Sequence, residues 1–108
     1  MTRGDIVIVA TRGAHTSKPC PALVVQADIF NGTHASLTVC PITSEVIDAP
    51  LFRIGLPPGA RTGLAAPSQV MVDKVVSVPR AAISKRVGRS DAAEMSSVDD
   101  ALRGWLSL

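Results

Sequence analysis

Few side chains in this chain of 108 residues could move protons or hold charge at a reaction centre. There are two histidines, His15 and His34, and two cysteines, Cys20 and Cys40. His15 lies between Arg12 and Lys18 in a stretch from Thr11 to Pro21 that Gly13, Pro19 and Pro21 mark as a loop. An imidazole with an unperturbed pKa of about 6.5 suits acid–base work near neutral pH. A solvated loop histidine would read the same way. His34 falls in a turn and draws no role. Cys20 and Cys40 show neither CxxC spacing nor a partner cluster, so no zinc site and no other cofactor is expected.

Charge gives the second clue. The formal net charge of +2 hides an asymmetry. Residues 1–89 carry ten Lys/Arg against five Asp/Glu, a balance of +5, and residues 90–108 carry one against four, a balance of −3. A basic body with an acidic last segment suits a polyanion site on the body, although ordinary surface charge gives a similar count. Aromatics are only 3% of the chain, with no tyrosine. That argues against a base-stacking platform of the RRM or OB type, which needs exposed rings, and requires an aliphatic core.

Short strands must position these groups. Asp5-Ile-Val-Ile-Val-Ala10 is a β-branched run that reads as a buried strand. Further strands are expected at Ala22 to Gln26, Ser36 to Ile42, Leu51 to Leu56, Gln69 to Val72 with Lys74 to Val78, and Lys85 to Gly88. Pro41 implies an edge or a bulge in the third strand. Asn31-Gly32 reads as a tight turn using positive φ. Ser90 or Asp91 caps the one convincing helix, with Asp91 and Glu94 at capping-box spacing. Met95, Val98, Leu102, Trp105 and Leu106 fall on one face of it, with Trp105 expected as a core anchor. One domain over 1–108 is expected, mainly β with a C-terminal helix: a small twisted antiparallel sheet or SH3-like barrel. No signal segment or membrane span is apparent, so the expected location is the cytoplasm.

Several motifs in order resemble the MazF/PemK family of small bacterial toxins. Arg3-Gly-Asp5 is similar to the family's N-terminal start. Pro21-Ala-Leu-Val-Val25 and Pro41-Ile-Thr-Ser44 are similar to its second and third strands. Gly63-Leu-Ala-Ala-Pro-Ser-Gln-Val-Met-Val-Asp73 and Met95-Ser-Ser-Val-Asp-Asp-Ala-Leu102 are similar to its later segment and closing helix.

The resemblance implies a fold of the CcdB/PemK type, a homodimer, a cognate antitoxin as partner, and cleavage of single-stranded RNA without a metal. It implies catalytic positions at Cys20, Thr43, His15 and Asp73. Arg12, Lys18, Arg53 and Lys74 are the cations expected to meet RNA. The chain departs from the family at Cys20, where an arginine is usual, and at Met71 and Val76, where some members carry another. Two other readings stay open: a gyrase-inhibiting toxin of the CcdB type, or an inactive module that binds RNA or antitoxin. Trp105-Leu-Ser-Leu108 is similar to the gyrase-poison tail only in its tryptophan.

Overall fold

The computed structural model describes residues 1–10 and 19–108. The strands are β1 (Asp5–Ala10), β2 (Pro19–Val24), β3 (Ser36–Thr43), β4 (Arg53–Leu56), β5 (Ser68–Met71), β6 (Val76–Pro79) and β7 (Ile83–Arg89). A short helix α1 (Asp28–Asn31) follows β2, and helix α2 (Ala92–Leu106) closes the chain. The strands form one sheet in the order β4-β5-β3-β2-β1-β7, with β6 also paired to β3, and every pairing is antiparallel.

β3 is the hinge of this sheet. Its first half pairs with β6, Val39 facing Val76, and its second half pairs with β5, Ile42 facing Val70. Three steps along β3 thus span six on the other side. The three extra residues are the 3-10 turn Val72–Lys74, which interrupts what would otherwise be one long strand. Pro41 sits opposite this insertion, where its missing N–H leaves no rung of the ladder unmade. The bulge expected from Pro41 is therefore present, although β3 is central rather than at an edge.

Alternation along the strands divides the core between two faces. Ile6, Leu23, Cys40, Ile42 and Val70 pack with Val98 and Ala101 of α2. Val7, Val9, Ala22, Val24, Leu37 and Val39 pack on the other face with Val78, Ala82 and Ile83. Strands buried on both sides explain the unbroken β-branched run of β1. Each fully buried Ile, Leu or Val contributes about 1.5–3 kcal/mol.

The N-terminus ties the sheet to α2. The carbonyl of Gly4, a residue at φ +95°, accepts from both the backbone N–H and the hydroxyl of Ser90. Arg3 donates from Nε to the Val25 carbonyl and pairs with Asp99 of α2. Asp91 caps α2 through a complete capping box with Glu94, as its spacing predicts.

Three expectations need correction. Asn31-Gly32 uses no positive φ: Asn31 ends α1 with its side chain donating to the Gln26 carbonyl and Asp28, and Gly32 is helical at φ −84°. β2 begins at Pro19, inside the stretch read as loop, because Cys20 and Pro21 pair with Val9 and Ile8. Trp105 is not a buried anchor but 51% exposed, packing on Phe52 with ring centroids 5.9 Å apart. Only Val98 and Ala101 of α2 are buried.

Candidate functional site

Thr43 closes β3 at the end of the sheet where β2 begins. The β2–β3 ladder ends at Ala22 opposite Pro41, so Cys20 and Thr43 each lie two residues beyond it, in the same direction. Cys20 is exposed. Residues 11–18 join Ala10 to Pro19, which are themselves cross-strand partners. His15, Arg12 and Lys18 belong to that connection and lie outside the described residues.

Cross-strand partners share a face of a sheet. Thr43 faces Gln69 on β5, and Gln69 faces Gly55 on β4. Two residues along, Met71 faces Arg53. Thr43, Gln69, Met71 and Arg53 therefore belong to one face, while Ile42, Val70 and Ile54 pack with the helix-side core on the other. Parity puts Cys20 on the Thr43 face, with Ala22 and Val24. The cross-strand neighbour of Met71 is therefore an arginine.

The Thr43 hydroxyl accepts from the Glu45 N–H at 3.1 Å, a turn bond that occupies one lone pair and leaves its proton to donate. Gln69 holds the next residues: its amide oxygen accepts from the Ile47 N–H at 3.1 Å and its amide nitrogen donates to the Ile47 carbonyl at 2.8 Å. Sequence reasoning gave Gln69 no role. The signal was present, a lone amide followed by Val70, Met71 and Val72.

Asp73 projects from the inserted 3-10 turn and meets Arg53, with Oδ1 3.7 Å from Nε. The side chains are only 12% and 18% exposed, and neither of these two atoms makes a hydrogen bond. The pair is thus held by charge at a separation longer than a hydrogen bond. Although its register puts it on the Thr43 face, Arg53 also borders a shallow groove of about 340 Å³ on the α2 side, with Glu94, Ser97 and Gly55. Lys74 is exposed on the same turn as Asp73. Cys40 is a poor nucleophile: burial pushes its thiol up to about 12, with Arg3 drawing it down and Asp73 raising it.

Among the described residues, no group of three or more His, Cys, Asp or Glu side chains could hold a metal ion. None of their helices is long and apolar enough to cross a membrane.

Fold and site define a small bent-sheet protein that presents a hydroxyl, a guanidinium and a carboxylate from three adjoining segments, with one helix behind. Residues 2–106 match the family model for the PemK-like, MazF-like toxin of type II toxin-antitoxin system, and the chain belongs to that family. It is 47% identical over 108 residues to a probable endoribonuclease MazF of Mycolicibacterium smegmatis, covering 100% of this chain and 98% of that one. Among solved structures it is similar to a MazE-MazF crystal structure from Deinococcus radiodurans, with a TM-score of 0.85 at 24% identity, covering 100% of this chain and 97% of that one. It is also similar to a mycobacterial endoribonuclease in complex with its cognate antitoxin, with a TM-score of 0.82 at 19% identity, covering 100% and 96%. The expected fold is thereby borne out.

Proposed function

We propose that this chain is the toxin of a type II toxin–antitoxin pair and a metal-independent endoribonuclease acting on single-stranded RNA. The observation that carries this reading is the shared face of Thr43 and Arg53, with Asp73 paired to that arginine. RNA carries its own nucleophile. The ribose 2′-hydroxyl attacks the adjacent phosphorus, the bond to the 5′-oxygen breaks, and the products are a 2′,3′-cyclic phosphate and a 5′-hydroxyl. One proton leaves the 2′-oxygen and one reaches the departing 5′-oxygen, so the protein supplies a base, an acid and donors for the phosphoryl charge. Thr43 and Arg53 are the donors in this reading, with Lys74 contacting backbone phosphates. Asp73 and His15 are the groups for proton transfer. Cys20 stands where a further cation would meet the same phosphate.

The partners follow from the surface. An apolar groove of about 630 Å³ runs between Leu51, Phe52 and Ile54 and the Ala101–Trp105 face of α2. Leu51 and Trp105 line it and are exposed, at 83% and 51%. A second copy of the chain covers this face in a homodimer, which light scattering at micromolar concentration reads directly. An acidic, apolar antitoxin segment folds onto the basic RNA face. The setting is the cytoplasm, where RNA and antitoxin are made.

The test is incubation of the purified protein with total RNA, mapping of new 5′ ends and analysis of the 3′ termini. New 5′-hydroxyl ends paired with cyclic phosphates are expected, and Thr43→Ala should slow their appearance by about 10²–10³, the usual loss for one oxyanion donor. A chain that leaves RNA intact while blocking gyrase supercoiling would replace this reading with the gyrase-inhibiting one.

A further inference from the structure

Gln69 is a polar side chain only 9% exposed, and both its amide groups are spent on the main chain of a single residue, Ile47. A primary amide offers the same donor and acceptor as a peptide unit, so it treats Ile47 as a strand would. Without it, residues 44–52 between β3 and β4 would lose this side-chain anchor. Gln69 is also the cross-strand partner of Thr43, whose hydroxyl closes the turn to Glu45. Thr43, Glu45, Ile47 and Gln69 thus form a small circuit. The strand ladder joins Gln69 to Thr43, the turn bond joins Thr43 to Glu45, and the amide returns from Ile47 to Gln69.

We propose that Gln69 is a positioning residue for the Thr43 hydroxyl. By fixing the main chain at Ile47 it fixes the turn at Glu45, and so the direction in which Thr43 donates. The proposal rests on the reading of Thr43 as a phosphate donor. The anchored segment carries exposed apolar side chains, Val46 at 57% and Ile47 at 48%, next to that donor. A misplacement of about 1 Å in such a group is enough to cost about 10²-fold in rate.

The experiment compares wild type, Gln69→Leu, Gln69→Glu and Thr43→Ala in single-turnover cleavage between pH 5.5 and 8. Amide hydrogen exchange is followed at residues 44–47. Gln69→Leu is expected to lower the cleavage step by about 10- to 100-fold, with RNA affinity within about twofold and faster exchange at Ile47. Gln69→Glu supplies the discriminating readout. Its carboxylate can still accept from the Ile47 N–H but faces the Ile47 carbonyl without a donor. Burial raises such a carboxyl above its ordinary value of about 4.3, and the protonated form donates again. Cleavage by Gln69→Glu, relative to wild type, should therefore recover as pH falls, whereas Gln69→Leu should not. Two results overturn the proposal: Gln69→Leu cleaving at the wild-type rate, or Gln69→Glu tracking Gln69→Leu at every pH. Should Thr43→Ala cleave as fast as wild type, the reading of Thr43 fails instead. Loss of activity in Thr43→Ala beside an unaffected Gln69→Leu refutes the positioning role alone.

Discussion

Asp5 and Asp73 are both largely buried carboxylates beside arginine, and they are treated differently. Asp5 is satisfied: it accepts from the Thr2 N–H at 2.9 Å and from Arg86 Nε at 3.0 Å, with Arg89 3.8 Å away. Burial works against its charge, but these hydrogen bonds and the neighbouring guanidinium outweigh it and hold the carboxyl below 3.8. Asp73 faces Arg53 at 3.7 Å, and its buried Oδ1 accepts nothing. One site fastens the chain start to β7, with its donors in place. The other leaves donor and acceptor capacity unspent beneath a face that carries a strand-end hydroxyl. Asp73 and Arg53 thus meet through charge, without the hydrogen bonds that complete the Asp5 cluster.

The largest expected effect lies at Cys20, where the family resemblance leads one to expect an arginine. Cys20→Arg puts a forked, permanently charged donor at the exposed start of β2, on the Thr43 face. Cleavage should rise by about 10²–10³, and adding Thr43→Ala should lower it again. Growth of cells without antitoxin gives a second readout, since a stronger toxin should arrest them. Unchanged cleavage in Cys20→Arg together with loss of activity in Cys20→Ala would show that the thiol itself works in the site. The contrast between a completed and an incomplete charge cluster would then need redrawing.

The next test sets the two carboxylates against each other. Asp5→Asn gives up charge-assisted hydrogen bonds and should destabilise by about 1.5–3 kcal/mol, with cleavage per folded molecule unchanged. Replacing both members of the other pair by apolar residues, Arg53→Met with Asp73→Leu, removes two poorly compensated charges together. Its stability should be equal to or above wild type, since apolar replacement of a buried pair often gains about 1–4 kcal/mol, while cleavage falls. Urea titrations and cleavage rates measured on the same preparations decide this. A double variant as unstable as Asp5→Asn would make Arg53–Asp73 a structural clamp and end the distinction.

How much of this was legible in the sequence depends on whether a feature is local. The β-branched run of β1 and the Asp91–Glu94 box are local patterns, and both are in place. Thr43 was legible as a strand end. The three-residue insertion at Val72–Lys74 was not, because it exists only as a register difference between two partners of β3. Arg53 read as one loose cation among several, and only cross-strand pairing put it beside Met71. Gln69 was hidden for the same reason: its partner Ile47 lies 22 residues away. Trp105 misled because helical periodicity fixes a face but not whether anything covers its last turn.

The smallest expected effect is the pH dependence of Asp5, which sharpens the comparison from the stable side. Its carboxyl titrates lower in the folded chain than in the unfolded one. Its contribution is therefore fully present above the unfolded value of about 3.9 and is lost as pH falls through the lower, folded value. Urea midpoints of wild type and Asp5→Asn should run parallel from pH 7 down to about 5, then converge as the acid form of Asp5 takes over. A gap that stayed constant down to pH 2 would mean that the shape and packing of Asp5, not its charge, fasten the chain start. The satisfied cluster would then differ from the Arg53–Asp73 pair in packing alone, and the unspent charge of that pair would no longer set it apart.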